Sequence, residues 1–242
     1  MPARDNQQHA RRLLHLANCH STNVGNGALI AGTEFLLDQD LPKPIIWQRE
    51  AWDDYTFDLK NFDREFVTLV NRHDAIIIGG AVSINGRSYL KNTGTRFELP
   101  LDLWSEIKRP IVIYGISYRH WQGQEFHHAD KLKRTFETAQ SMENVLTAVR
   151  NDGTLEWLRD VMGIDVSRIW TLPDPAVFVP SSSEEEFPEL LSDRVNIIIA
   201  FNDEDRAHRY PNGEARLGML REMADAVNRM SREWDEIGRA HV

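Results

Sequence analysis

The sequence predicts an α/β protein: a Rossmann-like open, mainly parallel sheet, followed by an incomplete second α/β half. Three observations predict it. Short apolar runs alternate with helical patterns, the reading expected of βαβ units. Ile76-Ile77-Ile78 and Ile111-Val112-Ile113 are unbroken by polar residues, as in strands covered on both faces. The run Asn23-Val24-Gly25-Asn26-Gly27-Ala28 stands where an apolar strand gives way to an amphipathic helix, the edge where open α/β sheets place ligands.

The elements follow in order. Leu-Leu-His-Leu-Ala at residues 13–17 reads as the first strand. Further strands are predicted at 44–48, 75–78, 110–114, 144–149 and 168–172. Helices are predicted at 27–37, 63–72, 101–108, 127–140 and 153–162. Ala28, Leu29, Phe35 and Leu36 give the apolar side of the first helix, and Gly163 just past Met162 suits a helix C-cap. These elements make one domain over 11–180. Residues 181–193, rich in Ser, Glu and Pro, read as a solvated linker.

Beyond the linker, 194–235 carries one buried-strand run, Val195 to Phe201, and one amphipathic helix on Leu217, Leu220, Met223, Ala224, Val227 and Met230. One strand and one helix cannot bury a core, so this half reads as truncated and the chain as given is expected to be catalytically inactive. Residues 236–242 resemble a translated sequencing adapter and are expected to be non-native.

Composition narrows the function. The 242 residues carry a net charge of −9, which argues against a general nucleic-acid or anionic-membrane binder. Cys19 is the only cysteine, so there is neither an internal disulfide nor a multi-thiolate zinc site. Residues 1–12 are polar and unlike a signal peptide, and no apolar run reaches the ~20 residues of a membrane helix. A soluble cytoplasmic protein without a metal or cofactor is expected.

Four segments close predicted strands on one edge. Asn23, Gly25 and Asn26 lie in the first, where glycines and asparagines tolerate positive φ and a helix N-terminus favours an anion. Gly79 and Gly80 let the backbone approach a ligand, so a branched side chain at Gly79 should block binding and spare the fold. Ser117 lies in the third segment, with Arg119 and His120 following. Arg150 leaves the fifth strand and offers a fork suited to a carboxylate or phosphate; a charge there would crowd the crevice unless paired. Asp174 closes the last strand in Pro173-Asp174-Pro175-Ala176 and either locks its turn or meets substrate. Asp152 and Thr154 read equally well as helix caps. His20 could contact an anion, Cys19 is expected to be packed, and His127-His128 reads as solvated surface.

Taken together, Asn23-Val24-Gly25-Asn26, Gly79-Gly80-Ala81, Arg150-Asn151-Asp152-Gly153-Thr154 with Leu158, and Asp174-Pro175-Ala176 resemble the polysaccharide pyruvyl transferase family over about residues 11–180. The resemblance implies a fold like that of GT-B glycosyltransferases, with the site between two Rossmann-like halves. It also implies transfer of the pyruvyl group of phosphoenolpyruvate onto sugar hydroxyls as a ketal. Asn26 and Asn151 stand where the family has aspartate, and Ala81 replaces a glycine. A general acid or base at either aspartate position would be lost. The family's Ser-x-Arg-x-His segment has no match, since Arg206-Ala207-His208 comes too early; the resemblance thus puts the catalytic residues, none of them assigned, in the missing C-terminal half.

Other classes stay open. Gly25-Asn26-Gly27, with Glu50 placed to hold a ribose, is a partial dinucleotide fingerprint, although Ile30 stands at its third glycine. A nucleotide-sugar glycosyltransferase shares the fold, and a non-catalytic binding domain is a further reading. No Gly-Lys-Ser/Thr follows the glycines, which excludes a Walker A loop.

Overall fold

The structure of the protein, a computed structural model, describes residues 10–21, 23–41, 44–121, 123–180, 210 and 212–233. The chain falls into two compact units: Met1–His120 with Glu125–Pro180, and Trp121–Gln124 with Ser181–Val242. In the first unit the order is β1 (Arg11–Ala17), α1 (Val24–Asp40), β2 (Ile45–Ala51), α2 (Trp52–Thr56), α3 (Arg64–Asn71), β3 (Ala75–Gly79) and β4 (Val82–Ile84). It continues with α4 (Leu101–Trp104), β5 (Ile111–Tyr118), α5 (Ala129–Ser141), β6 (Val145–Arg150), α6 (Thr154–Asp160), β7 (Ile169–Leu172) and a 3₁₀ turn, Pro175–Phe178.

The main sheet runs β2-β1-β3-β5-β6-β7, with β4 added beside the end of β5. Every pairing is parallel, so all strand C-termini share one edge. This is the predicted α/β architecture. After β1 the chain builds β2 on one side and β3 on the other, so the order reverses at β1. Loops leaving β1 and β3 diverge there, and a crevice opens between them.

Burial follows the apolar runs. Leu14, Leu16, Ile76 and Ile78 are enclosed, and Phe62 meets both Phe66 and Phe97 edge to face while Trp104 packs tilted on Phe97. A buried charged group ties α1 to the sheet. Glu34 accepts from two Arg49 nitrogens on β2, Nε at 2.8 Å and Nη2 at 2.6 Å, and lies 3.1 Å from His15 Nδ1 on β1.

Several expectations change. The first helix starts at Val24, not at 27, because Asn23 Oδ1 accepts the Gly25 N–H at 2.9 Å and caps it. Gly25 and Gly27 therefore lie in a helical first turn and do not use positive φ. Phe35 is 38 % exposed, and the buried face of α1 is instead Leu29, Ile30, Gly32, Thr33 and Glu34. The fourth predicted strand runs on past its expected end to Tyr118, through a bulge at the positive-φ Gly115. The helix predicted over 101–108 stops at Trp104.

In the second unit, the expected linker and the strand over 195–201 lie outside the described residues. Helix α7 (Gly213–Glu233) is present, opened by Asn212 Oδ1 accepting the Ala215 N–H at 2.8 Å. Its partly buried stripe is Met219, Leu220, Met223, Ala226, Val227 and Met230. Leu217 and Ala224, expected on that stripe, are exposed. Among the described residues no helix is long and apolar enough to cross a membrane.

Candidate functional site

A cavity of about 640 Å³ opens beyond the C-terminal ends of β1 and β2. The turn after β1 supplies Asn18, His20 and Ser21 to it, α2 supplies Asp53 and Asp54, and the loop after β4 supplies Tyr89 and Arg96. Phe57 and Leu59 form an exposed apolar lip. This size and mixture suit a small polar molecule with one apolar face.

Its charges are held in pairs. Arg96 sits 3.7 Å from Asp53 and 5.6 Å from the centre of the Trp52 ring, which cradles the guanidinium from below. Arg96 reaches that place because its N–H bonds Ser83 O at 3.0 Å, in a loop stiffened where Glu98 accepts from Asn92 N and Thr93 N. Burial pushes the Asp53 carboxyl up, against the pull of Arg96. Asp54 behaves oppositely: a hydrogen bond from Lys60 holds its carboxyl below the usual range. Lys60 Nζ is 3.1 Å from Asp54 and 2.7 Å from Glu50, which also accepts from Tyr55 Oη at 3.2 Å. His20 Nε2 lies 3.0 Å from the other Asp54 oxygen.

None of the expected site residues Asn23, Gly25, Asn26, Gly79, Gly80, Ser117, Arg150 and Asp174 lines this cavity; they lie along the same edge of the sheet. Asn23 and Gly25 are occupied with the cap of α1. Asn26 reaches inward: its Nδ2 donates to Ser21 Oγ at 2.7 Å and to Asn18 Oδ1 at 3.0 Å, while the Asn18 nitrogen faces Asp53. These bonds fix the Asn18 amide orientation.

Gly79 and Gly80 close β3, next to β1, but the space above Gly79 is not a ligand's. A Cβ there would lie 1.8 Å from Tyr114 O of the paired strand, and one at Gly80 would lie 3.3 Å from Leu29 Cβ of α1. Ser117 is buried within β5, where its N–H bonds Ala81 O at 3.2 Å.

Arg150 and Asp174 come together. Their side chains pair at 3.0 Å, Arg150 is only 17 % exposed, and its Nε is buried without a partner. Asp174 also locks its turn by accepting the Ala176 N–H at 2.9 Å. β6 is three strands from β1, roughly 14 Å at ~4.8 Å per strand, so Arg150 shares the edge and not the cavity. Asp152 accepts from Thr154 N at 3.2 Å and from Thr154 Oγ1 at 2.5 Å, a capping arrangement.

Sequence reasoning passed over Asn18, Asp53, Asp54, Tyr89 and Arg96. The signal for two of them was present: Trp52-Asp53-Asp54 follows a strand that continues to Ala51, three residues past its expected end at 48. Glu50, which the alternative dinucleotide reading would put on a ribose, is engaged by Lys60 and Tyr55. Cys19 is half-buried and free, and burial raises its thiol pKa. His128 bonds Ser88 O at 2.9 Å, and His127 pairs with Glu125 at 3.3 Å. Among the described residues no three His, Cys, Asp or Glu side chains converge as a metal site.

No curated protein matches the chain. Residues 23–232 match the polysaccharide pyruvyl transferase family, most of the chain and both of its units, and the protein belongs to that family.

Proposed function

We propose that the reaction this chain serves is transfer of the pyruvyl group of phosphoenolpyruvate onto two hydroxyls of a sugar, as a cyclic ketal, in surface-polysaccharide synthesis. The family match over residues 23–232 carries the reading. In the reaction, C3 of the donor gains a proton, and C2 gains two bonds to sugar oxygens and loses its bond to the phosphate oxygen. Of the two hydroxyl protons, one balances the new methyl group and the other leaves with phosphate.

The donor bears a carboxylate and a phosphate, and the strand-end edge offers chemistry for both. Arg150 has a fork suited to either group, and donor binding exchanges its Asp174 partner for the anion. The N-terminus of α1, with Asn23, Gly25 and Asn26, adds backbone dipole on the same edge as Gly79, Gly80 and Ser117. A lone, half-buried thiol suits a reducing cytoplasm.

The test incubates the full chain with phosphoenolpyruvate and a panel of methyl hexosides, following phosphate release and the ketal methyl signal by NMR. Both are expected together, with thermal stabilisation by phosphoenolpyruvate alone. Stabilisation by a UDP-sugar or by NAD, with none by phosphoenolpyruvate, would overturn the reading in favour of a glycosyltransferase or a dehydrogenase.

A further inference from the structure

The cavity beside β1 and β2 contains a side-chain pair that the donor chemistry above does not use. His20 lines the cavity, its side chain is 63 % exposed, and its Nε2 lies 3.0 Å from Asp54 Oδ1. The second Asp54 oxygen is held by Lys60, which Glu50 anchors in turn. Asp54 is thus fixed from two sides, and an ionised carboxylate can only accept hydrogen bonds. Nε2 must therefore carry the hydrogen, and the neutral ring presents a lone pair at Nδ1. A base oriented by a third group is the arrangement that activates a hydroxyl nucleophile.

The surroundings define what enters. Asp53 and Arg96 face His20 from α2 and the loop after β4, and Asp54 and Lys60 complete the charged groups around it. Cations and carboxylates balance here, so the cavity is not an anion receptor for a phosphate-bearing donor. Carboxylates, an amide and a guanidinium beside the exposed faces of Phe57 and Tyr89 match a sugar, with hydroxyls on its rim and an apolar C–H face.

We infer that this cavity is the acceptor subsite, that His20 is the general base for the attacking sugar hydroxyl, and that Asp54 is its positioning residue. The inference rests on the pyruvyl-transfer reading. In the step, the hydroxyl oxygen bonds to C2 of the donor after C3 has been protonated. The proton on C3 comes from solvent; an electron pair of the hydroxyl oxygen forms the new bond and cancels the charge at C2, the hydroxyl proton passes to His20 Nδ1, and phosphate leaves when the second hydroxyl closes the ketal and gives up its proton. The donor anion lies further along the edge, at Arg150.

The test compares the wild type with His20→Gln and Asp54→Asn in the full chain. His20→Gln is expected to lower kcat by 10²- to 10⁴-fold, to leave phosphoenolpyruvate affinity within twofold, and to abolish the acidic limb of the pH–rate profile. Asp54→Asn is expected to lower kcat less and to shift that limb. Activity of His20→Gln within threefold of wild type, or an unchanged acidic limb, would overturn the assignment. A wild type that pyruvylates nothing would count against the parent reading, and a second measurement then decides the subsite. Titrating methyl galactoside and methyl glucoside should move the His20 ring signals in the NMR spectrum, and no movement at 100-fold excess over protein and saturating sugar concentration would reject the cavity as a sugar site.

Discussion

Glu34 shows how one side chain fixes a helix and sets a pH limit. Burial alone would raise its pKa, but hydrogen bonds from Arg49 and His15 outweigh that and hold the carboxyl at about 2, against an ordinary 4.5. A carboxyl lowered on folding stabilises the protein above its unfolded pKa, and that stability drains away as pH falls from about 4.5 towards 2. The amount is on the order of 3 kcal/mol. Glu34→Gln should therefore cost several degrees of Tm at pH 7 and almost nothing near pH 2; a gap that stays constant with pH would refute the linkage. At Gly79 the expected ligand clearance is taken by Tyr114 O. Gly79→Val should consequently disrupt the β3–β5 pairing and cost at least the ~1–3 kcal/mol of overpacking, seen as a lowered midpoint in urea whether or not ligand is present. For Arg150, replacement by Ala should weaken phosphoenolpyruvate binding by ~1.5–3 kcal/mol, with Lys restoring only part. Asp174→Asn, which keeps an oxygen for the Ala176 N–H, should strengthen it, and calorimetry that finds both variants unchanged removes Arg150 from the donor site.

At the scale of elements, the strand-end glycines and asparagines lie on the edge that also carries the cavity, but local structure absorbs several of them. Asn23 caps α1, so Asn23→Ala should cost ~0.5–2 kcal/mol in thermal or urea unfolding. Asn23→Asp keeps the cap, and any loss of donor binding in that variant reports contact with the donor and not a frayed helix. The apolar runs Ile76–Ile78 of β3 and Ile111–Ile113 of β5 were legible because cover on both faces leaves no polar residue to confuse the period. The short pieces were not: β4 has three residues and α2 has five, too few to display a period. Arg96 and Tyr89 were hidden for a different reason. Their loop is placed by long-range bonds such as Arg96 N to Ser83 O and Thr135 Oγ1 to Thr93 O, which no local pattern encodes. Arg150 was legible as a charge needing a partner, and the partner proved to be the other residue singled out at the end of β7.

At the scale of the molecule, among the described residues the buried core cluster lies between Leu14 and Ile169. The first unit therefore carries its own core, and a chain of residues 10–180 should unfold in one cooperative transition by circular dichroism. A broad, non-cooperative melt would show that the remaining residues complete that core.

The 3₁₀ turn at Pro175–Phe178 reaches back across the unit. A Cβ on Gly32 of α1 would lie 1.9 Å from Pro175 O, and one on Gly115 would lie 3.2 Å from Pro175 Cγ. The first helix is thus closed over by residues that leave the ribosome some 140 positions later. At roughly 5–20 residues per second, the nascent chain holds α1 without its cover for on the order of 7–30 s. During that interval the face of α1 around Gly32 is open to whatever else binds apolar helices, so synthesis speed and chaperone supply, rather than equilibrium stability, should set the yield of folded protein.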